Sequence, residues 1–120
     1  MDYALQQIGI LMVGVSDMAR SLEFYRDTLG LKVKMESPEF VFLDGGAVTL
    51  ALSAGLWKAT GATTGSTEIV FSVASVRAAH ESLQAKGLTF TQEPRVVTGP
   101  MWAANFRDPD GHLFSVFGPE

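Results

Sequence analysis

The chain has 120 residues, 47% of them hydrophobic and 18% charged, with nine Lys and Arg against thirteen Asp and Glu, a net charge of −4 and no cysteine. That length suits one domain with one core, and the apolar content excludes a disordered polyampholyte. The acidic balance leaves no cationic field for nucleic acid, no apolar run approaches the roughly 20 residues of a membrane span, and the lack of cysteine removes disulfides, thiolate nucleophiles and thiolate metal sites. Met1–Gln7 also lacks the basic start and apolar middle of an export signal, so the expected location is the cytoplasm.

Ile8 to Val15 is apolar with small interruptions, which suits a strand buried on both faces, and Ser16 or Asp17 follows as a helix N-cap. Met18, Leu22, Tyr25 and Leu29 recur at helical spacing and Gly30 fits a left-handed helix end, which predicts a helix over Met18–Leu29. Leu31–Met35, Phe40–Leu43 and Ala47–Leu52 read as short strands, parted by Ser37-Pro38 and by the turn Asp44-Gly45-Gly46. Ser53–Ser66, rich in Ala, Gly and Thr and without periodicity, reads as a connection. The pattern then restarts. Glu68–Val73 is a strand, Ser75 a cap, and Val76, Ala79 or His80, and Leu83 mark a helix that stops at Gly87. Leu88–Thr91, Met101–Arg107 and His112–Phe117 follow as strands, the last two joined by Asp108-Pro109-Asp110-Gly111.

Both halves thus read strand, helix, three strands. Val15 and Val73 stand 58 positions apart, as do Asp17 and Ser75, and Asp44 precedes Asp108 by 64. Two similar units packed about a pseudo-twofold axis are expected.

Val15-Ser16-Asp17-Met18, the run Ser21-Leu22-Glu23-Phe24-Tyr25-Arg26-Asp27, Leu29-Gly30-Leu31, and Asp108-Pro109-Asp110-Gly111-His112 together resemble the vicinal oxygen chelate superfamily. That group includes glyoxalase I, extradiol dioxygenases, fosfomycin-modifying enzymes and bleomycin-binding resistance proteins. The resemblance covers Ile8–Phe117. It implies an α+β domain over 1–120, with βαβββ modules at about 8–52 and 67–118 joined by a connection at 53–66. The two modules would curl into an open, pseudo-twofold barrel around a cavity, and the chain would be a homodimer whose pockets draw on both subunits. In metal-using members, one side chain from the first and one from the last strand of each module hold a divalent ion. Carried onto this chain, those places fall on Ile10, Leu50, Glu68 and Ser115, of which Glu68 alone is a good donor, so no metal or other cofactor is expected.

Glu68 interrupts an apolar strand, and an unpaired buried carboxylate costs several kcal/mol. It either pairs with Arg95, Arg107 or a backbone group, or serves as a polar anchor or proton acceptor within the cavity. His80 reads as a helix-face residue, His112 as part of a turn, and Asp17, Asp108 and Asp110 as caps and turn formers. Met12, Phe42 and Phe106 either line the cavity or fill the core. The expected ligand site comprises Glu68, Ser115 and Asn105 as polar groups, Ile10, Met12, Leu50 and Phe42 as apolar ones, and Trp57 and Trp102 as stacking surfaces. Glu68 and Trp102 are expected to hold one ligand, the carboxylate a donor or cationic group and the indole a planar part. The function expected is a metal-free small-molecule binding protein of the glyoxalase/bleomycin resistance type that sequesters an aromatic or drug-like ligand. Alternatives are a metal-independent lyase or isomerase with Glu68 as general base, a glyoxalase-like or dioxygenase-like enzyme with an atypical metal site, and a chain with a filled cavity that acts through its surface.

Overall fold

The computed structural model describes residues 3–120. Its elements are β1 (Ile10–Gly14), α1 (Met18–Leu22), β2 (Val33–Glu36), β3 (Phe40–Asp44), β4 (Thr49–Ser53), α2 (Ala54–Ala59), β5 (Glu68–Ser72), α3 (Val76–Ala85), β6 (Phe90–Thr98), β7 (Met101–Arg107) and β8 (Leu113–Pro119). They form two four-stranded sheets, ordered β1-β4-β3-β2 and β5-β8-β7-β6. In each, the first strand lies parallel to the last strand of its half and the other pairs are antiparallel. The result is α+β, with two curved sheets that do not close into a barrel. No helix among the described residues is long and apolar enough to cross a membrane.

Several boundaries differ from the sequence reading for physical reasons. The connection contains α2, whose N-cap Ser53 accepts a hydrogen bond from the Leu56 amide at 3.0 Å. Six residues are too few to show helical periodicity, so only that cap could have revealed it. β6 runs on through Pro94 to nine residues. It is an edge strand whose register shifts between Gln92 and Arg95, and at such a place a missing N–H is tolerated. Helix α1 passes at Glu23 into a π-helical turn that ends at Thr28. The wider turn lets consecutive aromatics both reach the second sheet, with Phe24 6.4 Å from Phe106 and Tyr25 5.8 Å from Phe114, centroid to centroid.

β1 is not buried on both faces. Val13 and Val15 are buried, whereas Ile10 is 47% and Met12 43% exposed. Strand alternation puts Ile10 and Met12 on the face opposite Val13, while Leu11, on the face of Val13, is still 41% exposed because it lies toward the open start of the strand. One face of the first sheet packs Val13, Val41, Leu43, Leu50 and Leu52 into the core, joined by Ala104, Phe106, Phe114 and Val116 of the second sheet. Leu22, Tyr25 and Val76 cover them from the helical side. Phe106 therefore fills the core, stacked 5.5 Å from Phe114, while Met12 and Phe42 belong to the opposite, open face.

The halves are joined through the Asp108–His112 turn. Asp108 Oδ1 accepts from the Asp110 and His112 amides at 3.0 and 2.8 Å, and Oδ2 accepts from the buried Tyr25 hydroxyl at 2.7 Å. Asp110 in turn accepts from the Ser16 amide at 3.1 Å and from the Ser16 hydroxyl. Burial, reinforced by the adjacent Asp108 carboxylate, raises the Tyr25 phenol far above its ordinary value. Tyr25→Phe should lower unfolding free energy by about 1.5–3 kcal/mol in urea titrations, because a buried carboxylate oxygen loses its donor. A raised folded-state pKa contributes stability that is full below the unfolded value and lost as pH rises past it. The parent should thus lose stability above about pH 10 while Tyr25→Phe escapes this loss, and the tyrosinate absorbance assigned to Tyr25 by difference should appear near that pH only in the unfolded chain.

Candidate functional site

β1 and β5, the leading strands of the two halves, flank a cleft of about 590 Å3. Its walls include Met12, Leu56, Glu68, Val70, His112 and Leu113, with the connection after α2 along one side. The cleft depends on a close backbone approach at Gly14, where an added Cβ would lie 2.9 Å from the Trp57 amide nitrogen. That contact seats α2 against the end of β1, and only glycine leaves room for it. His112 completes the junction. Its Nε2 lies 2.7 Å from the Gly14 carbonyl oxygen, and its ring meets the Trp57 indole edge-on at 6.0 Å. Its position after Asp110-Gly111 predicts a role confined to the turn. Its amide does bond Asp108, yet the imidazole crosses to the other half of the chain. No local pattern reports that crossing, because it joins residues 98 positions apart.

Glu68 opens β5 on the sheet face away from the helices, in register with Leu113. It is exposed rather than buried, so its carboxylate bears no full desolvation cost. None of the partners expected for it is used. Asn105 Nδ2 donates to Glu68 Oε2 at 2.8 Å. Arg95 Nη1 instead lies 3.5 Å from the Ala103 carbonyl oxygen, and Arg107 Nη1 donates to the Gly111 carbonyl at 2.7 Å.

The remaining expected site residues separate by face. Val70, Ser115, Asn105 and Gln92 form one row across the open face of the second sheet. Met12, Ala51, Phe42 and Met35 form the equivalent row on the first. Ile10 lies beside that row at the start of β1, in register with Thr49. Leu50 and Trp102 do not join them. Leu50 pairs with Leu11 and is buried on the helical face, so Ala51 is the structural counterpart of Ser115. Trp102 alternates with Ala103 and Asn105, packs against the core cluster, and carries the Arg77 guanidinium 5.8 Å above its ring. The indole thus lies on the far side of the sheet from Glu68, and the two side chains cannot share one ligand in this arrangement. Trp57 does not line the cleft either, but packs against His112, which does.

The positions that hold a metal in metal-using relatives do not fit one here. They carry Ile10, Ala51, Glu68 and Ser115, a set with one carboxylate, and Asn105 already occupies one oxygen of that carboxylate. A hard divalent cation needs several converging oxygen or imidazole donors. No group of three His, Asp or Glu able to hold an ion occurs among the described residues.

Two βαβββ modules in tandem, with leading strands that flank a cleft, define a class of protein by architecture. The profile of the Glyoxalase/Bleomycin resistance protein/Dioxygenase superfamily matches residues 7–116, and the chain belongs to that superfamily. Among solved structures, a glyoxalase-related enzyme from Fulvimarina pelagi superposes with a TM-score of 0.80 at 24% identity, over 95% of this chain and 88% of that one. Lactoylglutathione lyase from Agrobacterium tumefaciens gives 0.79 at 18% identity, over 97% and 96%. An antibiotic-binding protein from Streptomyces sp. CB03234 gives 0.79 at 24% identity, over 99% and 100%. At these identities the likeness is one of fold. No curated protein matches the sequence.

The donor set makes its own prediction. Calorimetric titration of the purified chain with Zn2+, Ni2+ or Mn2+ should show no stoichiometric site of micromolar affinity, and a one-to-one site lost in Glu68→Ala would contradict it.

Proposed function

We propose that this chain is a metal-free small-molecule binding protein that takes an apolar, planar ligand into the cleft between β1 and β5. The observation that carries this reading is the cleft itself. At about 590 Å3 it falls within the size of small-molecule sites, and its walls are mainly apolar with a few polar groups set among them. Glu68, steadied by Asn105, is the polar anchor, while Met12, Val70 and Leu113 supply the apolar surface. The likeness in fold to an antibiotic-binding protein over nearly all of both chains supports the same reading.

A second copy of the chain belongs to the proposal. Ile10, Met12, Phe40 and Val70 stand on the open faces and are all at least 37% exposed. The radius of gyration, 15.3 Å, exceeds the roughly 14 Å expected for a compact chain of this length. Setting the open face of one copy against its twin would cover these side chains and enclose the ligand. Light scattering at micromolar concentration should give about 26 kDa, twice the 12.9 kDa of one chain. A mass of one chain under those conditions would remove the second copy from the site.

Binding is tested with naphthalenemethanol, a neutral planar probe. Titration should quench tryptophan fluorescence in the parent and in Trp102→Phe, and the quenching should be much smaller in Trp57→Phe, since Trp57 packs against His112 of the cleft wall while Trp102 lies on the opposite face. Met12→Trp should fill the cleft and weaken the probe by about tenfold or more, with the mass from light scattering checked alongside because Met12 also stands on the face set against the twin. Unaltered affinity in Met12→Trp would place the probe elsewhere.

A further inference from the structure

Hydrogen-bond accounting in the cleft constrains the ligand beyond its shape. Among the described residues no Lys or Arg lines the cleft, and Glu68 is its only acidic side chain. Three of the other four polar side chains there have each committed a proton. Thr60 Oγ1 donates to the Leu56 carbonyl at 2.9 Å and Thr63 Oγ1 to the Thr60 carbonyl at 3.2 Å, which leaves both hydroxyls with lone pairs to offer. A carbonyl oxygen can only accept, so the contact of His112 Nε2 with the Gly14 carbonyl requires the proton on Nε2. Nδ1 of the neutral ring is then an acceptor. Thr67 alone among these side chains has no hydrogen bond that fixes its proton.

Behind Glu68 the same bias continues. A carboxylate cannot donate, so the Asn105 amide must present Nδ2 to it, and this orientation leaves Asn105 Oδ1 buried without a donor. Glu68 is therefore held through one oxygen while the other stays available. A carboxylate or phosphate entering the cleft would meet acceptors and a like charge, with no cation to receive it. A protonated nitrogen would meet the reverse.

The geometry points to a ligand whose polar end is a hydrogen-bond donor with positive charge, an ammonium, amidinium or guanidinium on an apolar body. Glu68 receives the charged group, and His112 Nδ1 with the Thr60 and Thr63 hydroxyls accept further N–H bonds. This inference rests on the cleft being the binding site, and the experiment separates the two claims.

Three probes share one ring system: naphthylmethylammonium, naphthalenemethanol and naphthoate. Calorimetric titration of the full chain at neutral pH should rank the ammonium about tenfold or more tighter than the alcohol, with naphthoate weaker than both. Glu68→Gln should reduce ammonium affinity by about tenfold and leave the alcohol within about twofold. Glu39→Gln removes the same charge at an exposed site outside the cleft and should change neither. Equal affinity for ammonium and alcohol would overturn the inference. So would a loss in Glu39→Gln as large as that in Glu68→Gln, because net charge would then explain the preference. In both cases alcohol binding that is weakened by Met12→Trp would still uphold the cleft as the site. If none of the three probes binds, the binding reading falls and this inference with it.

Discussion

The arrangement depends on one buried carboxylate. Asp108 is 5% exposed, and its charge is tolerable there because three donors converge on it, two from the backbone of its own turn and one from Tyr25 on the other half of the chain. Removing a charge from water is expensive unless such partners are supplied, so the turn and the π-helical segment that carries Tyr25 have to meet in one geometry. Once they do, Asp110 reaches Ser16 and His112 reaches Gly14, both at the end of β1. The cleft is a consequence of that docking. β1 and β5 flank it because the turn before β8 is fastened to the residues that follow β1.

The two halves repeat the same backbone and present opposite chemistry. Register pairs Met12 with Ala51 and Phe42 on the first sheet, and Val70 with Ser115 and Asn105 on the second. Equivalent rows are therefore apolar in one half and partly polar in the other. The helical faces are alike, since both must bury a continuous apolar surface to make a core. Packing demands apolar side chains on that side in both halves, while it places no such demand on the open faces. An open face carries function without disturbing the fold.

A shared fold does not fix chemistry, and this superfamily illustrates why. The scaffold offers the same strand positions in every module, and the side chains placed there decide whether an ion, a ligand or neither is held. Here three of the four positions carry Ile10, Ala51 and Ser115, and the fourth carries a carboxylate engaged by an amide. The other polar groups at the cleft come from elsewhere: a helix end, a connection and a turn.

The sequence by itself determined the repeat, the order of the strands and of α1 and α3 though not α2, a cap at Ser16 or Asp17 and another at Ser75, and the superfamily. These depend on periodicity and on local hydrogen bonding, which act over a few residues. It also singled out Glu68, because a carboxylate in an apolar strand stands out without any structure. Tertiary structure alone decided the face that each strand residue takes and the partners it meets. A one-residue difference in alignment moved the expected position from Ala51 to Leu50, and strand alternation turns one residue into a change of face. The neighbourhood of Trp102 in sequence suggests a ligand contact, yet alternation places it beneath Arg77 on the helical side. His112 reads as an ordinary turn residue until the halves dock, since its partner Gly14 is 98 positions away and no local pattern encodes a contact made by folding two modules together.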